Sequence, residues 1–441
     1  MKNHIRCFIL FCFSTTFSFA QNSVDEKLMN LYGRKSFFEL QHEYKLNKSK
    51  ISRPELNVFL EAEFDHWCNR RLNFEKSIWS VLNNHQDELD PRIIFTRTAF
   101  AFMNMIELGK YQVTYESSQD YLNQLKSSIY SENMDIITPF EEVKDLAKAL
   151  SPYSPKQVIF PERCSVEVPL FFRKIGREDL MFIHASMNGG PAIPFVFDTG
   201  AECNCIIYEE YVEQYNIRLL DDDMGMIVRN AHSSTQQTKM GMIDSLSLGD
   251  VVVYNIPVLI LSGEIDLPDN ATYTPKTVIG WKLMETIGKI QIYPQEEKLI
   301  LIKSDSVENK ANNMMLYGGK NPIVEIRLDN NERLNMILDT GSSSTCLSSQ
   351  YYKDNEQWIL ETLKEDESTL GAGFGYRKKM KTFIIPHLSF QFGEIALKLN
   401  DLEVIPDMKQ PIGGGLLGLD FIRQFKKITL SFKDTYIDVE K

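Results

Sequence analysis

The sequence predicts a multidomain chain: an N-terminal α-helical domain, then an all-β region made of two copies of one unit. Three observations carry this prediction. Apolar residues recur at helical spacing as far as about residue 150, and the texture changes after Pro152, Pro155 and Pro161. The tripeptide Asp-Thr-Gly then occurs twice, at 198–200 and 339–341, each time behind three apolar residues. The expected boundaries are 1–20 for a leader, 21–155 for the helical domain, and 156–307 and 308–441 for the two β units.

The bulk numbers exclude several classes. A chain of 441 residues with 43% hydrophobic and 24% charged content has the composition of a folded globular protein. A formal charge of −12 and no long Lys/Arg run argue against a nucleic-acid partner. The first residues read MKNHIR, then about 13 mostly apolar residues, then Ser18-Phe19-Ala20. That is the pattern of a cleaved signal peptide, too short for the roughly 20 residues that span a bilayer. The expectation is a secreted or periplasmic protein with no integral membrane segment after cleavage. Cys7 and Cys12 leave with the leader, and Cys68, Cys164, Cys203, Cys205 and Cys346 remain. An odd, sparse set is no disulfide framework, although one or two bridges stay open.

In the helical domain, Phe59/Phe64/Trp67, Ile78/Val81/Leu82 and Phe100/Met103/Leu108 carry the apolar spacing. Pro54 and Pro91 stand where helices can begin. Phe37, Phe74 and Tyr111 follow one another at 37-residue intervals, which suggests stacked helical hairpins. The stretch LGKYQVT (108–114) weakly resembles the turn of a tetratricopeptide repeat, and a plain helical bundle is the alternative. Such a domain implies a protein partner recruited through it.

The β region repeats in order and spacing. Val278-Ile279-Gly280 ends 82 residues after Asp198, and Leu416-Leu417-Gly418 ends 79 residues after Asp339. Past those glycines, GWKLMETIGKIQIY aligns without a gap on GLDFIRQFKKITLS at an offset of 138. Before each aspartate a strand, a polar turn (Asn188-Gly189-Gly190; Asp329-Asn330-Asn331) and a second strand are expected.

This constellation resembles the aspartic peptidases, and the short units ending in GLDFI are similar to the retropepsin-like (retroviral-type) branch. Two units in one chain resemble the pseudo-dimer of pepsin-like enzymes. The resemblance covers roughly residues 165–441 and implies two pseudo-twofold-related β-barrel-like lobes, a peptide or protein substrate, and neither metal nor other cofactor. It implies catalytic roles for Asp198 and Asp339, and hydrogen bonds between the loops from Thr199 and Thr340. The apolar-apolar-Gly triplets would back the two loops. Departures from the family's usual pattern are Glu202 after the first loop and Trp281-Lys282 where the second copy has Leu419-Asp420.

The chemistry explains the pairing. Amide hydrolysis by water needs a base for the water and an acid for the carbonyl oxygen or the leaving nitrogen. Two adjacent carboxyls that share one proton supply both. Gly200 and Gly341 would allow tight turns and a close approach to the carboxylates. Where the first copy has Ala201 the second has Ser342, whose hydroxyl would stabilise a charged Asp339, so Asp339 is expected ionised and Asp198 protonated. Gly371, Gly373, Phe374 and Tyr376 form a glycine-rich candidate flap over the substrate, whereas the first copy at that distance, from Asn230, has no glycine before Gly241. Cys205 and Cys346, equivalent at the offset of 141, are expected to pack beneath the loops. No HExxH pair, G-x-S-x-G elbow or complete phosphate loop is present. A non-catalytic peptide-binding module with a recruiting helical domain is the alternative to an aspartic endopeptidase.

Overall fold

The computed structural model describes residues 23–441 apart from 177, 221–224, 230–234, 263–274, 304–311, 319–320, 372–376, 409 and 411. The leader expected over 1–20 lies outside the described residues. Two compact units divide the chain, the second running from Lys156 to Lys441.

Helices α1 (Ser23–Gly33), α2 (Phe37–Asn47), α3 (Pro54–Trp67) and α4 (Arg71–Asn84) begin the first unit. Helices α5 (Pro91–Glu107), α6 (Tyr111–Lys126) and α7 (Met134–Leu150) complete it. Pro54 and Pro91 open α3 and α5, where a missing N–H costs nothing, and the Asp90 carboxylate caps α5 by accepting from the Arg92 amide at 2.9 Å. Three inter-helix turns share one geometry, with Lys35, Asn69 and Gly109 in the left-handed region at φ 60°, 53° and 73°. In each, the amide of the following residue reaches back five positions (Ser36 to Leu31, Arg70 to Asp65, Lys110 to Met105), while the left-handed residue's own amide reaches back three. This is the Schellman arrangement that satisfies the last carbonyls of a helix.

These turns recur after 34 and then 40 residues, which corrects the 37-residue reading. Phe37 and Tyr111 open their helices, but Phe74 sits one turn inside α4, so the even spacing of the aromatics is not the spacing of the hairpins. All three rings are buried. Tyr32, Glu63 and Arg97 tie α1, α3 and α5 together: Tyr32 Oη donates to Glu63 Oε2 at 3.1 Å and Arg97 Nη2 donates to the same oxygen at 2.6 Å. Among the described residues no helix is long and apolar enough to cross a membrane.

The second unit begins with β1 (Gln157–Ile159), β2 (Ser165–Ile175), β3 (Glu178–Met187), β4 (Ile193–Asp198) and β5 (Cys205–Tyr208). After α8 (Glu210–Gln214) come β6 (Arg218–Leu219), β7 (Gly225–Arg229), β8 (Thr235–Leu248), β9 (Val251–Leu261) and β10 (Thr277–Gly280). Helix α9 (Trp281–Ile287) and strands β11 (Lys289–Tyr293) and β12 (Lys298–Ile302) end this half. The second half starts with β13 (Met314–Tyr317), β14 (Asn321–Leu328), β15 (Arg333–Leu338) and β16 (Cys346–Leu347). It continues through α10 (Ser349–Asp354), α11 (Glu356–Thr362), β17 (Lys364–Gly371), β18 (Arg377–Phe392) and β19 (Ile395–Val404). Then follow β20 (Gly415–Leu417), α12 (Leu419–Ile422), β21 (Lys427–Ser431) and β22 (Tyr436–Glu440).

Alternation makes the outer strands. In β2, Val166, Val168 and Leu170 are buried between exposed neighbours, as one face of a sheet requires. The strands entering the two Asp-Thr-Gly turns differ: Phe195, Val196 and Phe197, like Met336, Ile337 and Leu338, are all buried. Each lies inside its sheet between an antiparallel and a parallel neighbour, a position that favours continuous apolar runs. The pairings recur in both halves: β4 runs parallel to β10 and β15 to β20, while β5 runs parallel to β9 and β16 to β19.

The halves join at their ends. β11 pairs with β21 antiparallel, with Gln291 opposite Thr429, two residues 138 apart. Trp281 stacks on Phe432, and the apolar side chains of both halves form one continuous core. Arg423 of the second half pairs with Asp179 at 2.9 Å and lies 4.3 Å from the centre of the Phe172 ring.

Candidate active site

Strands β4 and β15 deliver the two Asp-Thr-Gly turns to one place. The threonines lock them together reciprocally. The Thr199 amide donates to Thr340 Oγ1 and the Thr340 amide to Thr199 Oγ1, both at 3.0 Å. Each hydroxyl passes its own proton to the opposite strand, Thr199 Oγ1 to Leu338 O at 2.8 Å and Thr340 Oγ1 to Phe197 O at 2.6 Å. Both threonines are fully buried, so these four bonds leave no amide or hydroxyl of the pair unsatisfied.

Each glycine faces the opposite carboxyl. A Cβ on Gly200 would lie 2.4 Å from Asp339 Oδ1, and one on Gly341 2.5 Å from Asp198 Cγ. Neither has a left-handed backbone, so glycine is required here for close approach and not for φ. The Asp198 and Asp339 carboxyls stand side by side, each facing the glycine of the other's turn and each keeping a partly exposed edge. Asp198 Oδ1 accepts the amides of Gly200 at 2.8 Å and Ala201 at 3.1 Å, and Asp339 Oδ1 accepts that of Gly341 at 2.9 Å.

Burial pushes both carboxyls above the usual carboxylate range, and backbone amides oppose it at both turns. The hydroxyl expected to stabilise a charged Asp339 is engaged elsewhere: Ser342 Oγ donates to Ser344 O at 2.9 Å. Ser342→Ala is accordingly expected to leave the acidic limb of a pH–rate profile within about 0.3 of a pH unit of wild type, a difference below half a kcal/mol.

The apolar-apolar-Gly triplets lie directly behind the turns. Gly280 pairs opposite Asp198, and a Cβ there would meet Cys203 O at 2.3 Å and Ala201 O at 2.6 Å. At Gly418 the corresponding atom would lie 2.7 Å from Ser344 O and 2.9 Å from Ser342 O. Trp281 N donates to Ala201 O and Leu419 N to Ser342 O, so both loops hang on equivalent amides. Cys205 and Cys346 are buried in β5 and β16, and burial raises both thiols far above their usual range. All five cysteines from Cys68 to Cys346 are free, which closes the option of a bridge among them.

Of the candidate flap, Gly371 ends β17 opposite Arg377 of β18, while Gly373, Phe374 and Tyr376 lie outside the described residues. The first half carries a hairpin at the same place without the glycines, β7 paired with β8.

Residues 183–282 match the family model described as Aspartyl protease. That stretch contains Asp198 and the triplet at 278–280, and it is similar to the corresponding part of those enzymes. No curated protein matches the chain. Solved structures that are similar at low identity include three from different sources. Basic 7S globulin from soybean is 10% identical, with 65% of this chain and 95% of that one covered and a TM-score of 0.38. An aspartic proteinase from Irpex lacteus is 12% identical, with 63% and 97% covered and a TM-score of 0.38. A retropepsin-like aspartic protease from Rickettsia conorii is 18% identical, with 31% and 98% covered and a TM-score of 0.21.

Sequence reasoning gave no role to the groups that anchor the loops from behind. Both Asp420 oxygens accept the Thr345 amide at 2.9 Å, and Thr345 Oγ1 donates to Oδ1 at 2.6 Å. In the first half Asn204 stands at the place of Thr345, and Lys156 Nζ donates to its Oδ1 at 2.6 Å. Setting the two loops side by side at the offset of 141 would have drawn attention to Asn204; Lys156, at the start of the first unit, has no counterpart in the second. Among the described residues no group of three His, Cys, Asp or Glu side chains could hold a metal ion.

Proposed function

We propose that the chain is an aspartic endopeptidase in which Asp198 and Asp339, on two pseudo-twofold-related lobes, activate one water against a peptide bond. The single observation that carries this reading is the pair of largely desolvated carboxyls set side by side, each packed against the glycine of the other's turn. Nothing in packing alone calls for two acids there, since an unshared buried charge costs several kcal/mol. The ionised carboxylate of the pair takes a proton from the water as its oxygen attacks the carbonyl carbon, and the protonated carboxyl gives its proton to the carbonyl oxygen. Breakdown then cleaves the C–N bond, passes the captured proton to the leaving nitrogen and returns a hydroxyl proton of the intermediate to the other carboxylate, which restores the singly protonated pair. The match of residues 183–282 to aspartyl proteases supports the same reading, and the pattern of residues 1–20 supports a secreted or periplasmic site of action.

The test is cleavage of an unbiased peptide library by the purified chain from about pH 3 to pH 8, spanning both sides of an ordinary carboxylate pKa. Cleavage blocked by a peptide analogue with a secondary alcohol at the scissile position supports the reading. No cleavage across the range overturns it in favour of a peptide-binding module.

Stability carries a second signature. An acid whose folded pKa is raised contributes stability that is full below its ordinary pKa and is lost as pH rises through the folded value. Asp339→Asn removes that loss. The variant is expected to melt a few degrees above wild type near pH 7, with the gain vanishing near about pH 4. Paired thermal melts at the two pH values check this.

A further inference from the structure

We propose that Lys156, which opens the first unit and has no counterpart in the second, is a positioning residue for Asp198: it holds the first loop through Asn204, doing there what Asp420 does for the second. The inference rests on the peptidase reading for its functional consequence, but its geometry does not depend on it.

The two loops begin alike and end differently. Ala201 O and Ser342 O accept equivalent amides, from Trp281 and Leu419. Three residues further on the anchors diverge. In the second loop Thr345 is gripped by the Asp420 carboxylate through both its amide and its hydroxyl, and its Oγ1 accepts the Gly418 amide at 3.1 Å. At the offset of 138 the first copy has Lys282 in place of Asp420. An ammonium has donors and no acceptor, so it cannot take an amide proton as Asp420 does.

Asn204 replaces the threonine and turns the grip around. Its backbone carbonyl accepts the Gly280 amide at 2.9 Å, its Nδ2 donates to Pro257 O at 3.2 Å, and its Oδ1 accepts from Lys156 Nζ at 2.6 Å. A charge-assisted bond to a side-chain amide is short and strong among protein hydrogen bonds. Lys156 is itself fixed, because the next residues form β1, which pairs with β9 from Gln157 opposite Tyr254 to Ile159 opposite Val252. The same strand β9 carries Pro257 and then runs parallel to β5, which continues directly from Asn204. Lys156, Asn204 and β9 thus close a small frame behind the loop that presents Asp198. Both Lys156 and Asn204 are only partly exposed, so water replaces this bond poorly.

The test uses the full chain with Lys156→Met, which keeps the stem and removes the donor, and Lys156→Arg, which keeps a donor. Amide hydrogen exchange over residues 199–205 is expected to rise several-fold in K156M and to stay near wild type in K156R, with exchange over 340–346 unchanged in both. In cleavage assays K156M is expected to lose about tenfold in kcat with KM held, the scale on which small misplacements of a reacting group are felt. Wild-type exchange over 199–205 in K156M, or a rise of equal size over 340–346, overturns the proposal. If the wild type cleaves no peptide, the peptidase reading fails by itself, and the exchange comparison still decides the role of Lys156.

Discussion

Substituting either aspartate by asparagine is expected to lower peptide cleavage by at least about a thousandfold, and the double variant is expected to be no worse than either single one. On the peptidase reading either change breaks the pair, because an acid and a base are then no longer both present. Because one proton circulates between them, half of the pair has little use without the other, and the losses do not add. Activity should need one proton on the pair. It falls at low pH as the pair takes up a second proton and at high pH as the pair gives up the first, and burial pushes both limits upward. Single-turnover rates of the three variants on one cleaved peptide measure this.

Thr199→Val has the largest expected effect on the scaffold. Valine matches threonine in shape, so no cavity forms. The change instead strips the acceptor from the buried Thr340 amide and the donor from the Leu338 carbonyl. Two buried polar groups left without partners cost about 2–5 kcal/mol together. Thr340→Val is expected to cost the same, through the Thr199 amide and Phe197 O. Thr199→Ser keeps the hydroxyl and should lose about 1 kcal/mol, the worth of one methyl group. Denaturant unfolding of the three variants separates these values, and a valine variant as stable as wild type would remove the threonines from the account of how the turns are joined.

Much of this was legible because it follows from spacing. An apolar run into Asp-Thr-Gly, twice, locates both carboxyls, and the two apolar-apolar-Gly triplets mark the strands behind them, where Gly280 and Gly418 leave no room for a side chain. The shift from helical to strand texture past Pro155 is visible in the same way, since helix α7 ends at Leu150 and strand β1 begins at Gln157. What was not legible depends on direction and not on residue type. Asp198 Oδ1 accepts the amide of Ala201, whose side chain carries no such information, and the Ser342 hydroxyl turns toward Ser344. The helical turns escaped because Lys35 takes a left-handed conformation for which lysine gives no signal. Lys156 escaped because comparing the two copies cannot reveal a residue that has no counterpart in the second.

The central claim is that one chain supplies both carboxyls to one water. It is tested most directly by assaying Asp198→Asn and Asp339→Asn chains separately and mixed, beside wild type over a range of dilutions. The prediction is no cleavage by either variant, none by the mixture, and a wild-type rate per chain that does not change on dilution. Cleavage by one variant near the wild-type rate, or activity restored by mixing, would contradict it.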